Sequence, residues 1–240
     1  MCSGIVGVLI AGVLALGLWL VPQPMTFEDI LPEISEETQL PSVDPALLTL
    51  YADLSEGKTE DGMYFIGAAD APATLVQFSS LSCPPCWTYT RNYIHQITDL
   101  MREDKVRVVF MPLPQYGSFN STGAARGAIC AGEQARFFDM ADVLFSWAAE
   151  LQERLNDDTT LLGAADLLNL DKDTFTACLA SNLPDAVLAA AAREAEARRI
   201  NATPSVFLND VQIFPQRAGG LAGMSSLEEL RALIEVAQMR

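Results

Sequence analysis

We predict an α/β fold with an inserted helical domain, preceded by an N-terminal transmembrane anchor, from three features of this 240-residue sequence. An uninterrupted apolar run opens the chain. Further along, two short apolar runs typical of buried strands lie on either side of a helical stretch, and two more such runs precede a final amphipathic helix. Half of the residues are hydrophobic, which suffices for a packed core and excludes a globally disordered chain.

The first element is the apolar run at residues 4–21, which contains no charged residue and ends before Pro22 and Pro24. At about 1.5 Å per residue, a helix of this length nearly crosses a hydrocarbon layer of about 30 Å. A cleaved signal peptide and a buried core helix are the alternatives. The basic residues and small-residue cleavage site of a signal peptide are absent, so we favour an uncleaved anchor over residues 1–24. Cys2 is left as an unassigned thiol.

Residues 25–62 are acidic, contain several prolines and carry no Lys or Arg before Lys58. This composition predicts a solvated stalk between the anchor and a folded domain. A segment without basic residues is readily translocated, so we expect the domain to lie outside the cytoplasm, in the periplasm or at the cell surface. The formal net charge of −16 excludes the basic surface that nucleic acid requires, so no nucleic-acid partner is expected.

The folded domain is predicted over residues 63–238. Strand, helix and strand at its start are typical of a βαβ unit, and the Asn209-Asp210 pair is typical of a two-residue hairpin turn. The expected elements are a strand at 73–79, a helix from 83 to about 101, a strand at 106–111, a helical insertion at about 117–200, strands at 205–208 and 211–214, and a helix at 227–237.

A Cys-Pro-Pro-Cys motif, Cys83 to Cys86, follows the first of these strands directly and opens the helix. The unpaired N–H groups and the dipole of a helix N-terminus stabilise a thiolate. We therefore expect Cys83 to be the attacking thiol and Cys86, one turn further, to be the resolving thiol. Half of a zinc site and two inert buried cysteines are the alternatives. Zinc requires four ligands, and with His95 as the single histidine and no second Cys-x-x-Cys, we expect no metal and no cofactor.

Thr203-Pro204 stands just before the strand at 205–208, where a proline is tolerated and a cis bond is an alternative to the ordinary trans one. Together with the strand before CPPC, the segment AICAGEQARFFDMADVLF in the helical region, INATPSVFLND and the terminal helix, these residues resemble the DsbA-like thiol–disulfide oxidoreductases of the thioredoxin superfamily. The resemblance covers roughly residues 64–238. It implies a thioredoxin fold with a helical insertion and a cis Pro204. It also implies that Thr203 and Pro204 present their backbone to an extended substrate peptide.

The sequence departs from this family in the dipeptide between the cysteines, which is Pro84-Pro85 rather than the Pro-His of strong oxidases. Neither proline has an N–H group, so Cys86 and Trp87 are the nearest backbone donors to a Cys83 thiolate. We therefore expect these prolines to tune the motif towards a less oxidising disulfide. Further departures are Ser80 and Ser82, where relatives often have an acid, and Ala202, which replaces a common Gly.

Cys130 and Cys178 both fall in the helical insertion, and some relatives carry a second disulfide at matching places. The resemblance thus implies a structural disulfide between them, with two small buried thiols as the alternative.

The function predicted from the sequence is membrane-tethered thiol–disulfide exchange outside the cytoplasm, most simply the introduction of disulfides into exported proteins through Cys83 and Cys86. Reduced or misoxidised exported proteins are the expected substrates, and a quinone-linked membrane protein or a reductant is the expected redox partner. A disulfide reductase or isomerase of the same fold is the first alternative. A soft-metal-binding chaperone is the second, disfavoured because the sequence has no Met-rich or His-rich tract near the motif.

Overall fold

The structure is a computed structural model that describes residues 40–214 and 226–239. The predicted anchor and the first part of the predicted stalk lie outside the described residues. Among the described residues, no single helix has the length and apolar character needed to cross a membrane, although two consecutive helices, Lys172–Leu179 and Leu183–Ala197, meet that criterion jointly across a 58° bend.

The core of the fold is a six-stranded mixed sheet in the order β1-β2-β4-β3-β5-β6. The pairing of β3 with β4 is parallel, and each of the other pairs is antiparallel. Its strands are β1 (Glu56–Lys58), β2 (Tyr64–Ile66), β3 (Ala73–Ser79), β4 (Val106–Pro112), β5 (Ser205–Leu208) and β6 (Val211–Phe214). The central strand β3 lies between β4 and β5, and its Leu75 and Phe78, which belong to different core clusters, are both fully buried. The end of β3 is therefore held on both sides, which makes it a rigid support for the segment that follows.

The helices confirm the predicted helical insertion between β4 and β5. They are α1 (Pro84–Tyr89), α2 (Thr98–Arg102), α3 (Thr122–Gly132), α4 (Phe137–Leu151), α5 (Asp158–Leu167), α6 (Lys172–Leu179), α7 (Leu183–Ala197) and α8 (Leu227–Ala237). Between α1 and α2 the chain stays helical, as a π-helix at Thr90–Ile94 and a 3₁₀ turn at His95–Ile97. Helix α4 is buried along most of its length because it packs against α1, α3 and α5.

Local sequence signals account for several element boundaries. Asp171 caps α6 by accepting a hydrogen bond from the Thr174 N–H, and Ser226 caps α8 in the same way. At the β5–β6 turn, Asn209 and Asp210 both have positive φ angles, 43° and 69°, as the predicted two-residue hairpin requires.

The predicted stalk is wrong from residue 40 onward, because residues 40–62 belong to the folded unit. Tyr51 is only 4% exposed, and Leu48 and Leu50 pack on the same core. Arg102 clamps this segment by donating to Asp53 at 2.7 Å and to the Leu50 carbonyl at 2.9 Å. The segment contains β1, which extends the sheet at one edge. Acidic and proline-rich composition suggested a tether, but the interspersed apolar side chains are enough to dock the segment on α4.

Candidate active site

The Cys-Pro-Pro-Cys motif lies where the sequence places it, between the end of β3 and the first turn of α1. The Cys83 N–H donates to the Ser80 carbonyl at 3.1 Å, which turns the chain from the strand into the helix. Cys83 is the N-cap residue, and Pro84 begins the helix at a position that needs no N–H donor. Cys83 and Cys86 form a disulfide with a Cα–Cα distance of 5.2 Å.

The two cysteines of this disulfide differ in exposure. Cys83 is 5% exposed and Cys86 is fully buried, while Pro84 and Pro85 between them are exposed. An incoming thiolate can therefore approach the motif from the side of Cys83, and Cys86 is shielded by the body of the protein. This is the arrangement that an attacking and a resolving thiol require.

Hydrogen-bond donors to Cys83 are few because of the prolines. The Cys86 N–H donates to the Cys83 sulfur at 3.2 Å, whereas the Trp87 N–H donates to the Cys83 carbonyl at 3.2 Å. The sequence identifies the N–H groups of Cys86 and Trp87 as candidate donors to the Cys83 sulfur. Among the described residues, only the Cys86 N–H donates a backbone hydrogen bond to it. A single amide together with the helix dipole still favours a thiolate at this position.

Thr203 and Pro204 lie next to the motif although they are far from it in sequence. The peptide bond between them is cis, and the Thr203 carbonyl oxygen is 3.6 Å from the Cys83 sulfur. Pro204 is buried, whereas Thr203 is partly exposed beside the accessible sulfur. The structure therefore brings together four predicted residues, Cys83, Cys86, Thr203 and Pro204.

A loop over residues 113–121 hydrogen-bonds both to the motif segment and to the Thr203-Pro204 segment. Sequence reasoning did not identify this loop. Its Ser118 N–H donates to the Ser82 carbonyl at 2.9 Å, and its Tyr116 carbonyl accepts from the Thr203 hydroxyl at 3.1 Å. At Gly117 the loop passes so close to Ser82 that a Cβ would collide with the serine hydroxyl. Ser82 and Ser80 thus have a structural role, since their hydroxyls lie 3.2 Å apart under this loop.

An apolar cavity of about 270 Å³ opens beside Cys83, and its lining includes Trp87, Phe119 and Phe145. The Trp87 ring stacks on the Phe145 ring at a centroid distance of 5.4 Å. One wall of the cavity therefore comes from α1 and the other from α4 of the helical insertion. Its position next to the accessible sulfur suits an apolar side chain of a bound peptide.

A buried cluster of titratable groups lies behind this cavity, and sequence reasoning missed it. His95 Nε2 is 2.8 Å from Asp142 Oδ2, with side-chain exposures of 9% and 3%. Burial raises the pKa of Asp142, although the neighbouring His95 and Tyr51 act in the opposite direction. Burial likewise raises the pKa of Glu56 to about 7, even though this carboxylate accepts hydrogen bonds from the backbone N–H groups of Phe137 and Phe138.

Cys130 and Cys178 form a second disulfide, with a Cα–Cα distance of 5.6 Å. It joins the buried end of α3 to α6, and neither cysteine lines the cavity beside Cys83. No group of three or more His, Cys, Asp or Glu side chains within residues 40–214 and 226–239 is arranged to hold a metal ion.

The chain matches known proteins over the region that builds this site. A family model described as thioredoxin matches residues 58–236. The Na⁺/H⁺ antiporter NhaA 1 of Salinispora arenicola is 30% identical over 145 residues, which are 60% of this chain and 21% of that protein. The chain thus spans about a fifth of the length of such antiporter relatives. The probable disulfide bond formation protein D of Bacillus anthracis is 25% identical over 148 residues, 60% of this chain and 68% of that protein.

Solved structures extend the likeness to the fold. Oxidised BdbD from Bacillus subtilis superposes with a TM-score of 0.62 at 19% identity, over 78% of this chain and 98% of that one. Wolbachia pipientis alpha-DsbA1 superposes with a TM-score of 0.59 at 21% identity, over 76% of this chain and 94% of that one. The resemblance predicted from the sequence is confirmed: the chain belongs to the thioredoxin family and has the fold of the DsbA-like thiol–disulfide oxidoreductases.

Proposed function

We propose that this protein is a thiol–disulfide oxidoreductase that introduces disulfides into exported proteins through Cys83 and Cys86. The observation that carries the proposal is the Cys83–Cys86 disulfide at the start of α1, in which Cys83 is slightly exposed, Cys86 is fully buried, and the Thr203 carbonyl oxygen lies 3.6 Å from the Cys83 sulfur. The name of the Bacillus anthracis relative, a probable disulfide bond formation protein, supports the oxidising direction.

The reaction is two successive exchanges. A substrate thiolate attacks the Cys83 sulfur, a mixed disulfide forms, and the Cys86 sulfur leaves as a thiolate. The second substrate thiolate then attacks the substrate sulfur of the mixed disulfide and expels the Cys83 thiolate, which the Cys86 N–H and the helix dipole stabilise. Two electrons pass from the substrate dithiol to the cysteine pair, and two protons are released from the substrate thiols. The extended substrate backbone lies along Thr203 and Pro204.

The cellular setting belongs to the proposal as well. Residues 4–21 tether the domain to a membrane, with the active site on the extracytoplasmic side. Reduced or misoxidised exported proteins are the substrates. A disulfide-bearing membrane partner, such as a quinone-linked protein, accepts the two electrons and restores the Cys83–Cys86 disulfide.

The alternative is net reduction or isomerisation of disulfides by the same pair. One observation favours it: among the described residues, a single backbone N–H reaches the Cys83 sulfur, which limits thiolate stabilisation and makes the disulfide less oxidising.

Reduced, unfolded ribonuclease distinguishes these directions. The oxidised protein should remove ribonuclease thiols in a stoichiometric amount. A Cys86→Ser variant, whose Cys83 has first been converted to a mixed disulfide with Ellman's reagent, should exchange its thionitrobenzoate for a ribonuclease thiol and accumulate a covalent complex with the substrate through Cys83. The matched Cys83→Ser variant should form no such complex, because its remaining active-site cysteine is buried. Failure of the oxidised protein to form ribonuclease disulfides would reject the oxidase role. A covalent complex formed only by Cys83→Ser would reverse the assignment of the two thiols.

A further inference from the structure

The inference rests on the proposed function and begins with the irregular helix that follows the active-site cysteines. In a regular α-helix, residues eight positions apart such as Trp87 and His95 would point about 80° apart around the axis. The intervening π-helix, Thr90–Ile94, makes wider turns with hydrogen bonds from residue i+5, as in the His95 N–H bond to the Thr90 carbonyl. As a result the two rings meet, with their centroids 5.6 Å apart and their planes at 77°.

His95 is itself fixed from the other side. Its Nε2 lies 2.8 Å from the buried Asp142 carboxylate of α4, and the Tyr51 ring meets the imidazole edge-on at a centroid distance of 6.1 Å. Burying an unpaired carboxylate costs free energy. The contact between His95 and the Asp142 carboxylate is therefore strongly favoured over an arrangement that separates them.

Trp87 is the link from this buried pair to the reactive disulfide. It follows Cys86 directly in sequence and lines the apolar cavity next to Cys83. Its indole has the Phe145 ring stacked on it and the His95 ring against it. Arg91 adds a cation–π contact at 5.8 Å from the indole centroid. The indole that forms this part of the cavity wall thus contacts three side chains, those of Phe145, His95 and Arg91.

We propose that His95 and Asp142 are positioning residues, which hold the Trp87 indole as the wall of the cavity where an apolar side chain of the peptide substrate binds. Neither residue touches the reacting sulfurs. Their contribution is therefore expected in the binding of peptide substrates and not in the exchange chemistry itself.

Two dithiol substrates separate these contributions in the full-length protein. One is a synthetic peptide with two cysteines flanked by leucine, which would fill the cavity, and the other is dithiothreitol, which would not. His95→Gln should raise KM for the peptide by about fivefold with kcat little changed, and should leave the rate with dithiothreitol at the wild-type value. Asn92→Ala, an exposed position of the same helical segment, is the matched control and should change neither rate.

Two further variants test the pair and its target. His95→Gln combined with Asp142→Asn leaves no unpaired buried carboxylate and keeps two side chains that can hydrogen-bond to each other, and should bring KM back to within about twofold of wild type. Trp87→Ala should reproduce the rise in KM on its own. If His95→Gln does not fold, the double variant and Trp87→Ala carry the test.

The outcomes separate the inference from the function on which it rests. Loss of peptide and dithiothreitol exchange to the same extent in His95→Gln would show a merely structural role and overturn the inference, as would an unchanged KM. An unchanged KM in Trp87→Ala would overturn it as well. Absence of exchange with either dithiol in the wild-type protein would instead overturn the proposed function.

Discussion

Removing the disulfide between Cys130 and Cys178 should destabilise the domain strongly without abolishing exchange. The two cysteines are 48 positions apart, and a crosslink that closes a loop of this length stabilises a protein by about 4 kcal/mol in the chain-entropy model. For a domain of this size, that loss lowers Tm by roughly 8–16 °C. Most domains are stable by about 5–15 kcal/mol, so the variant should still fold at room temperature.

The assay is denaturant unfolding of the oxidised Cys130→Ala, Cys178→Ala double variant beside the wild type, followed by circular dichroism without reductant. The matched control is the Cys83→Ala, Cys86→Ala variant, whose disulfide closes a loop between residues only three positions apart. In the same model this control loses less than about 2 kcal/mol. Exchange with reduced ribonuclease should persist in the first variant and disappear in the control.

Either of two results would refute this reasoning. The first is a loss of less than about 1 kcal/mol in the Cys130, Cys178 variant, which would mean that the crosslink adds little to the fold. The second is the detection of two free thiols at these positions in the unfolded, oxidised wild-type protein.

Three further predictions concern the domain boundary, the buried carboxylate and the motif. A chain that begins at Leu40 should fold and exchange disulfides. A chain that begins at Met63 should lose more than about 3 kcal/mol of unfolding free energy, because it lacks β1 and the buried Tyr51. Equal stability of the two chains in thermal melting would contradict this. Burial raises the pKa of Glu56 to about 7, so its stabilising contribution is complete below the unfolded value near 4.5 and is lost as the pH rises through 7. Glu56→Gln should therefore remove up to about 3 kcal/mol of the change in unfolding free energy with pH. Melting temperatures that fall by the same amount between pH 5 and pH 8 in the variant and the wild type would contradict this. Pro85→His should lower the pKa of the Cys83 thiol and make the disulfide more oxidising, and ultraviolet titration that finds no decrease would refute the role of the missing donors.

The parts of the fold that the sequence predicts are those with local signals. The strand before the motif and the hairpin near the end of the chain are continuous apolar runs with recognisable boundaries, and the structure has both at 73–79 and 205–214. The short strands β1 and β2 have no such signal, because three-residue strands are too short to show a period. The prediction of a stalk is wrong for residues 40–62 because composition describes the segment as a whole, whereas a few side chains such as Tyr51 decide whether it docks.

At the site, too, the sequence predicts the residues that carry a local signal and misses those that tertiary packing brings together. The cysteines and Thr203-Pro204 carry recognisable motifs, and the structure places them together. The pairing of His95 with Asp142 has no signal in the sequence, since it depends on the π-helix and on the docking of α4, both of which are set by tertiary packing. A lone histidine in a helix is compatible with many environments, so sequence reasoning could give it no role.

The reduction potential of the Cys83–Cys86 pair tests the central claim most directly. The full-length protein is equilibrated with glutathione buffers, its thiols are alkylated, and the oxidised fraction is measured by mass spectrometry, with the Cys130–Cys178 disulfide as an internal reference that should stay oxidised. An exchange-active pair with a single amide donor to Cys83 should have a potential between about −270 mV, as in thioredoxin, and about −120 mV, as in DsbA. A potential below about −300 mV, the range of structural disulfides, would mean that Cys83 and Cys86 only crosslink the fold and would contradict the account.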